Sequence, residues 1–289
     1  MERKKFFLIL VLILAIIRGS SYLFIKNVIL FSSPLEIVFF RFFLTGMVLL
    51  IVFRKGLREL NRYDVIFGML AGIFLFSAFA FQTYGLKYTT VSKQSFLTSL
   101  YIIIIPLLDF IFFRKKMKSK VLLIFGIILL GLFFISFESF NKFEFSFNYG
   151  DFLTILCAFG FALNILLFSK INKFKINIMN ITIIQMLTIG SLAFIFQLII
   201  EKKVISFNSI NFSLIYLILI CTMLNFTIQN ISQKYISAHI MGLILSTEAI
   251  FGTIFAIIFI NETINLNFII GTSLIMLGIV LIQYLERGE

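Results

Sequence analysis

Arg18 stands in the apolar run from Phe6 to Ile25, and Glu248 stands in a second, LILSTEAIFGTIFAIIFI. A guanidinium can grip a carboxylate or phosphate through two parallel hydrogen bonds. A carboxylate in such a run can carry a proton, bind an ammonium group, or neutralise a buried arginine. Arg18 lies 12 residues beyond Phe6, about 18 Å along a helix at 1.5 Å per residue. At that depth in a layer about 30 Å thick a lone arginine costs roughly 2.5–3.5 kcal/mol on insertion scales. Something must offset that cost. Three readings stay open for Arg18: an anchor for an anionic group on a substrate, an ion pair with Glu248, or a snorkelled side chain.

Other polar residues sit in apolar runs. Gln94, Thr98 and Tyr101 recur at i, i+4 and i+7, one face of a helix. Gln82, Asn164, Asn225 and Gln229 each add an amide, suited to a midplane site or to hydrogen bonds between helices. Ser21 follows Arg18 in the small-residue run Gly19-Ser20-Ser21, which fits close helix packing or cavity lining. Arg41 falls two turns inside the outer end of the second run, shallow enough to snorkel to the surface; a place in an outer gate is the alternative. Pro106 interrupts the hydrogen-bond ladder of its helix and is a candidate gate bend. Asp109, next to the basic segment Arg114 to Lys120, reads as a surface ion partner, and Lys93 as a snorkelling lysine or a vestibule residue.

The elements that carry these residues follow from composition. Of 289 residues, 61% are hydrophobic and 13% charged, with mean hydropathy +1.09. Apolar runs of bilayer length recur from end to end, at 6–26, 35–53, 64–84, 93–113, 119–137, 150–169, 177–200, 212–233, 240–260 and 265–285. The expected fold is an all-α polytopic membrane protein with ten transmembrane helices. A β-barrel is excluded, because it needs alternating rather than continuous hydrophobicity. Cys157 and Cys221 lie inside apolar runs and His239 is the single histidine. No disulfide framework, metal site or other cofactor is therefore expected. No HExxH or GxSxG pattern supports an integral membrane enzyme, and no glycine-lysine phosphate loop supports ATP-driven pumping. The N-terminal run lacks a small-x-small cleavage pattern, so it reads as a helix rather than a removed signal.

The net charge of +12 would suggest nucleic acid in a soluble protein. Here it reports topology. With the N-terminus inside, 17 of the 25 Lys and Arg fall on the cytoplasmic side and 6 on the other, with Arg18 and Arg41 within the bilayer. By the positive-inside rule both termini are cytoplasmic, and the expected location is a bacterial inner (cell) membrane. The expected partners are the lipid bilayer and a small-molecule substrate, not nucleic acid. Proton coupling and the choice between monomer and homodimer stay open.

Sliding residues 79–138 onto 226–285, an offset of 147, gives twelve identities in sixty positions. They include Phe79/Phe226, Gln82/Gln229, Lys87/Lys234, Tyr88/Tyr235, Ser99/Ser246 and Gly131/Gly278. The chain therefore reads as two five-helix repeats, 1–140 and 141–289. An odd helix count makes the second repeat enter the membrane from the opposite side. Inverted repeats of this kind mark secondary transporters, with a site near the midplane between the halves.

The segments GSSYLFIK (19–26), PLEIVFFRF (34–42), LKYTTVSKQSFLTSLYIIIIPLL (86–108), YGDFLTILCAFGFAL (149–163) and QKYISAHIMGLILSTEAIFGTIFAIIFINETI (233–264), in this order and spacing, resemble the drug/metabolite transporter superfamily in its EamA branch. The resemblance covers essentially the whole chain. It implies ten helices, an inverted repeat and alternating-access transport of small polar metabolites, often export of amino acids or related compounds, with other anionic or drug-like metabolites as the alternative. The chain departs from the family pattern at Arg18, where Trp is usual, at Ala249, where Pro is frequent, and at Arg114-Lys115-Lys116, where a glutamate-bearing turn is usual.

Overall fold

The computed structural model describes residues 2–54, 59–113, 119–135, 137–139, 144–145, 147–171, 173–203, 205–206 and 210–287. The basic segment 114–118, Lys55 and Arg58, and the expected boundary at 140/141 lie outside them.

Ten helices fill the described residues. Eight are long and apolar enough to cross a membrane: α1 (Lys5–Val28), α2 (Pro34–Val52), α3 (Arg62–Tyr88), α4 (Val91–Phe112), α6 (Tyr149–Ile171), α7 (Ile178–Glu201), α8 (Phe212–Ser232) and α9 (Ala238–Ile260). Two carry shorter apolar stretches, α5 (Ser119–Ile135) and α10 (Leu266–Arg287). A two-strand hairpin, Phe137–Ser139 against Glu144–Phe145, joins α5 to α6.

Side-chain caps mark where several helices begin. Asn61 accepts from the Asp64 amide at 2.9 Å while Asp64 faces back to the Asn61 amide, a reciprocal cap that satisfies two free N–H groups. Thr90, Asn177 and Asn211 cap α4, α7 and α8 in one direction only, each side-chain oxygen accepting from a first-turn amide. Asn261 ends α9 with φ 51°, a left-handed conformation that asparagine tolerates better than bulkier residues.

Packing follows the repeat. An offset of 147 maps α1–α5 onto α6–α10. The contacts of α3 with α6 recur as α8 with α1, and those of α4 with α6 recur as α9 with α1. The pairs α2/α7, α4/α9 and α5/α10 map onto themselves, as a pseudo-twofold axis requires. Individual contacts obey it too. Gly131 lies against Gly271 and Ile275 in α10, and its repeat mate Gly278 lies against the equivalent Ile124 and Ile128 in α5. A Cβ on Gly131 would come 2.7 Å from the Gly271 carbonyl oxygen, so glycine is what lets α5 and α10 approach.

Two helices are discontinuous. In α4 the α-helix stops at Thr98 and restarts at Tyr101. In α9 it stops at Ser246 and restarts at Glu248. Tight i to i+3 bonds bridge both breaks at equivalent positions: Leu100 N to Leu97 O and Ile103 N to Leu100 O, matched by Thr247 N to Ile244 O and Ile250 N to Thr247 O. The breaks touch on the axis, where Ser99 Oγ donates to Ser246 O at 3.1 Å and Ser95 Oγ to Ala249 O at 3.3 Å. The expected bend at Pro106 is displaced: the second half of α4 runs through that residue from Tyr101 to Phe113. The break sits two turns earlier, where serine hydroxyls and the facing helix compete for the backbone.

Candidate functional site

Arg18 enters the core from α1 and Glu248 from the start of the second half of α9. Arg18 Nε lies 2.7 Å from Glu248 Oε2, and Arg18 Nη1 donates to Gln229 Oε1 on α8 at 3.1 Å. The other carboxylate oxygen accepts from Tyr22 Oη at 3.4 Å, and Gln82 Nε2 on α3 donates to that hydroxyl at 3.5 Å. Arg18 is 6% and Glu248 1% exposed. The backbone is built for this closeness. Gly19 lies against α9, where a Cβ would come 2.6 Å from Phe251 Cβ and 2.9 Å from Gly252 N.

Phenylalanine rings surround the charges. The Arg18 guanidinium lies 5.0 Å from the Phe161 ring centroid and 5.8 Å from that of Phe226. Phe79 touches both rings, at 5.1 and 5.6 Å between centroids. On the other side of Phe79 sits a second guanidinium, Arg41, 4.8 Å from its centroid. These residues line a cavity of about 10 Å³, room for about one water molecule. Repeat mates face it from both sides of the pseudo-twofold: Phe79 with Phe226 lines it, and Gln82 with Gln229 bonds into its network.

Arg41 corrects the sequence reading. It does not snorkel; it is 1% exposed. Its segment of α2, Phe40–Leu44, is a widened π-type turn, and so is Leu219–Leu224 in α8. The two meet where Arg41 Nε donates to Thr222 Oγ1 at 3.1 Å. Counting residues from the helix end placed Arg41 near the surface. Packing of α2 against α7 and α8 turns it inward instead. Single π turns of this kind recur at functional sites.

The EamA-like transporter family model matches this sequence twice, at residues 5–137 and 148–284. The chain belongs to the EamA-like transporter family. An uncharacterized transporter from Archaeoglobus fulgidus is 27% identical over 275 residues, covering 94% of this chain and 83% of that one. A protein crystal structure superposes with a TM-score of 0.69 at 14% identity, covering 96% of each chain; that likeness concerns the fold alone. Membership makes this a multi-pass membrane transporter with a small-molecule substrate, and each repeat is one EamA unit.

The transporter's remaining polar residues divide by position. Ser21 lines the cavity and donates to Arg18 O at 2.6 Å. Besides Gln229, which bonds Arg18, five expected site residues are not part of the cavity lining. Gln94 donates to the Gln82 carbonyl, Asn164 to Ala71 O at 3.4 Å, and Asn225 to Leu14 O at 3.2 Å; all three tie helices together. Thr98 and Tyr101 are buried beside the α4 break; neither is in the cavity lining, but Tyr101 packs on the lining ring of Phe161 at 6.2 Å between centroids and lies close to the Arg18–Glu248 pair. Tyr22, Phe161 and Cys221 line the cavity without a signal of their own in the sequence. Phe79 and Phe226 had one, as an identical pair in the repeat.

Ion pairs close both ends of the bundle. Lys93 Nζ, at the start of α4, lies 2.7 Å from Asp151 Oδ2 at the start of α6, and Thr89 Oγ1 donates to the other Asp151 oxygen at 2.6 Å. At the opposite end Asp109 lies 2.8 Å from Lys170 Nζ and 3.1 Å from His239 Nε2. Asp109 and Lys93 are both buried, with partners on α6 and α9. Lys93 also lines a cavity at its end of the bundle, the vestibule place the sequence allowed, while the basic segment 114–118 beside Asp109 lies outside the described residues.

Proposed function

We propose that this EamA transporter moves a small polar metabolite across a bacterial inner membrane by alternating access, most simply as an exporter of amino acids or related compounds. The cargo site is the cavity holding Arg18, Arg41 and Glu248. One observation carries the reading: a closed polar cavity, containing an intramembrane ion pair, straddles the pseudo-twofold beside two helices broken at equivalent positions. Ionisable groups at that depth are costly and mark transport pathways, and broken helices at the repeat interface are where secondary transporters bind cargo.

The cavity is smaller than any metabolite, so loading requires the helices to part. The end clusters supply the two gates. Separating Lys93 from Asp151 opens one face, and separating Asp109 from Lys170 and His239 opens the other. The excess of Lys and Arg near the Asp109 end supports placing it, with both termini, in the cytoplasm.

The test is flux in proteoliposomes loaded with amino acids, then with other small metabolites, comparing wild type with Glu248→Gln. The reading expects at least one cargo whose flux falls about tenfold or more in the variant at equal reconstitution. Equal flux of every transported compound in both proteins would refute it.

A further inference from the structure

Arg18 is already neutralised by Glu248. Arg41 is not. Its Nε is held by the Thr222 hydroxyl, and its Nη1 is buried without a hydrogen-bond partner. Among the described residues no carboxylate lies within 4 Å of it. Its remaining neighbours are π faces, Phe79 at 4.8 Å and Phe42 at 5.5 Å. Cation–π contacts offset only a small part of the cost of burying a charge. A guanidinium in a low-dielectric interior needs more than that, because a buried charge without a counter-ion is strongly disfavoured.

The cavity thus holds two guanidiniums and one carboxylate, an excess of one positive charge. Water can accept a hydrogen bond from Nη1 but cannot supply the missing charge. Arg41 sits about midway along α2, on the turn where α2 and α8 both widen. It lines the cavity together with Arg18.

We propose that Arg41 is the binding site for an oxyanion on the cargo, a carboxylate or phosphate group, and that the transporter selects metabolites carrying net negative charge. The proposal rests on the cavity being the cargo site, and it moves the anion from Arg18, where the sequence placed it, to Arg41. Arg18 and Glu248 then stay paired and neutral, and the loaded site as a whole is neutral. Phe42 and Phe79 hold the guanidinium plane in position, and Thr222 fixes its Nε edge, leaving the Nη edge to the ligand. Such an edge suits a planar carboxylate or a phosphate face.

The experiment uses the purified full-length chain in detergent, in Tris-chloride buffer free of carboxylate and phosphate. Cys157 and Cys221 are both buried free thiols, so a thiol-reactive fluorogenic dye reports thermal unfolding without any tryptophan. The probes are succinate, L-glutamate and inorganic phosphate as anions, with L-leucine and putrescine as a zwitterion and a cation. The first two anions against the third separate an organic acid from a free inorganic ion. At least one anion should raise the wild-type midpoint in a saturable way, with succinate or glutamate ahead of phosphate if the cargo is organic.

In Arg41→Gln the apparent affinity for that anion should fall about tenfold or more, while Arg41→Lys keeps a measurable response. Without probe, Arg41→Gln should unfold at or above the wild-type midpoint, because an uncompensated charge has gone; a purely structural arginine would lower it. Equal anion responses in wild type and Arg41→Gln overturn the assignment. So does a wild type that responds to none of the three anions, or to leucine or putrescine alone. Should Arg41→Gln not fold, the structural reading wins and the proposal falls. Flux of a zwitterion that needs Glu248 but proceeds at wild-type rate in Arg41→Gln would sink the anion site and leave the transport reading standing. Anion binding lost in Arg41→Gln with no flux of any probe would do the reverse.

Discussion

Removing one partner of the Arg18–Glu248 pair should damage the protein far more than removing both. At 2.7 Å the Coulomb attraction is about 6 kcal/mol for an effective dielectric constant near 20. The desolvation that this attraction offsets is comparable, so the intact pair contributes little net stability. A single change breaks the balance. Arg18→Met leaves Glu248 with neutral phenol neighbours, the long Tyr22 contact and Tyr101, and exposes Gln229 Oε1 to apolar surroundings. Glu248→Gln leaves Arg18 against Gln229 and two rings. Each should cost roughly 3–5 kcal/mol, the usual penalty for orphaning a buried charge. At roughly 2–4 °C per kcal/mol for chains of 150–250 residues, that is a fall of roughly 6–20 °C in unfolding midpoint. The double variant Arg18→Met/Glu248→Gln should lie within about 2 kcal/mol of wild type, giving a coupling energy of about 3 kcal/mol or more. Thermal unfolding of all four proteins in one detergent, read with the thiol dye, closes the cycle. Additive losses, with the double variant the least stable of the four, would show that the two side chains do not share a bond, and the geometry of the site would be wrong.

Further outcomes follow from other contacts. Gly131→Val should destabilise the α5/α10 seam by about 1–3 kcal/mol through overpacking, since its Cβ would meet the Gly271 carbonyl at 2.7 Å; unfolding midpoints compare it with Gly126→Val, where the space is open. Asp109→Asn should raise the labelling rate of Cys221 by a membrane-impermeant thiol reagent from the face bearing α4's C-terminal end, and Asp151→Asn from the opposite face; right-side-out and inverted vesicles separate the two. A reporter fused after Arg287 should be active in the cytoplasm and silent outside, as the Lys and Arg distribution requires.

Much of the scaffold was readable because its cause is local. A helix in lipid must satisfy its own backbone, so unbroken apolar runs became helices close to where they were drawn. The two repeats were readable because Gln82/Gln229 and Gly131/Gly278 are rare coincidences in a sequence this rich in Ile, Leu and Phe. The Arg18–Glu248 pairing was one of three alternatives, and the chain itself could not choose among them. What sequence could not reach depends on which helix faces which. The depth of Arg41 was counted along α2 alone, whereas its burial comes from α7 and α8. For Asp109 the sequence offered only the nearest basic loop, whereas among the described residues it also pairs with Lys170 and His239, 61 and 130 residues away. The aromatic walls were hidden among 40 phenylalanines. The α4 stripe was legible in part: Tyr101 packs on Phe161 and Gln94 turns to the Gln82 carbonyl, while the mid-helix break between them leaves no periodic trace.

The two end clusters also constrain each other. Lys93 and Asp109 ride on α4, Asp151 and Lys170 on α6, and the pairs match start with start and end with end. The helices are therefore parallel, as oppositely inserted repeats demand, and the charges are crossed, with base on α4 at one tip and acid at the other. A slip of one helical turn, about 5.4 Å, would uncouple both tips at once. Sliding along this seam is thus the least available motion. Tilting, which lengthens one tip while the other keeps its bond as a pivot, is the motion the wiring leaves free.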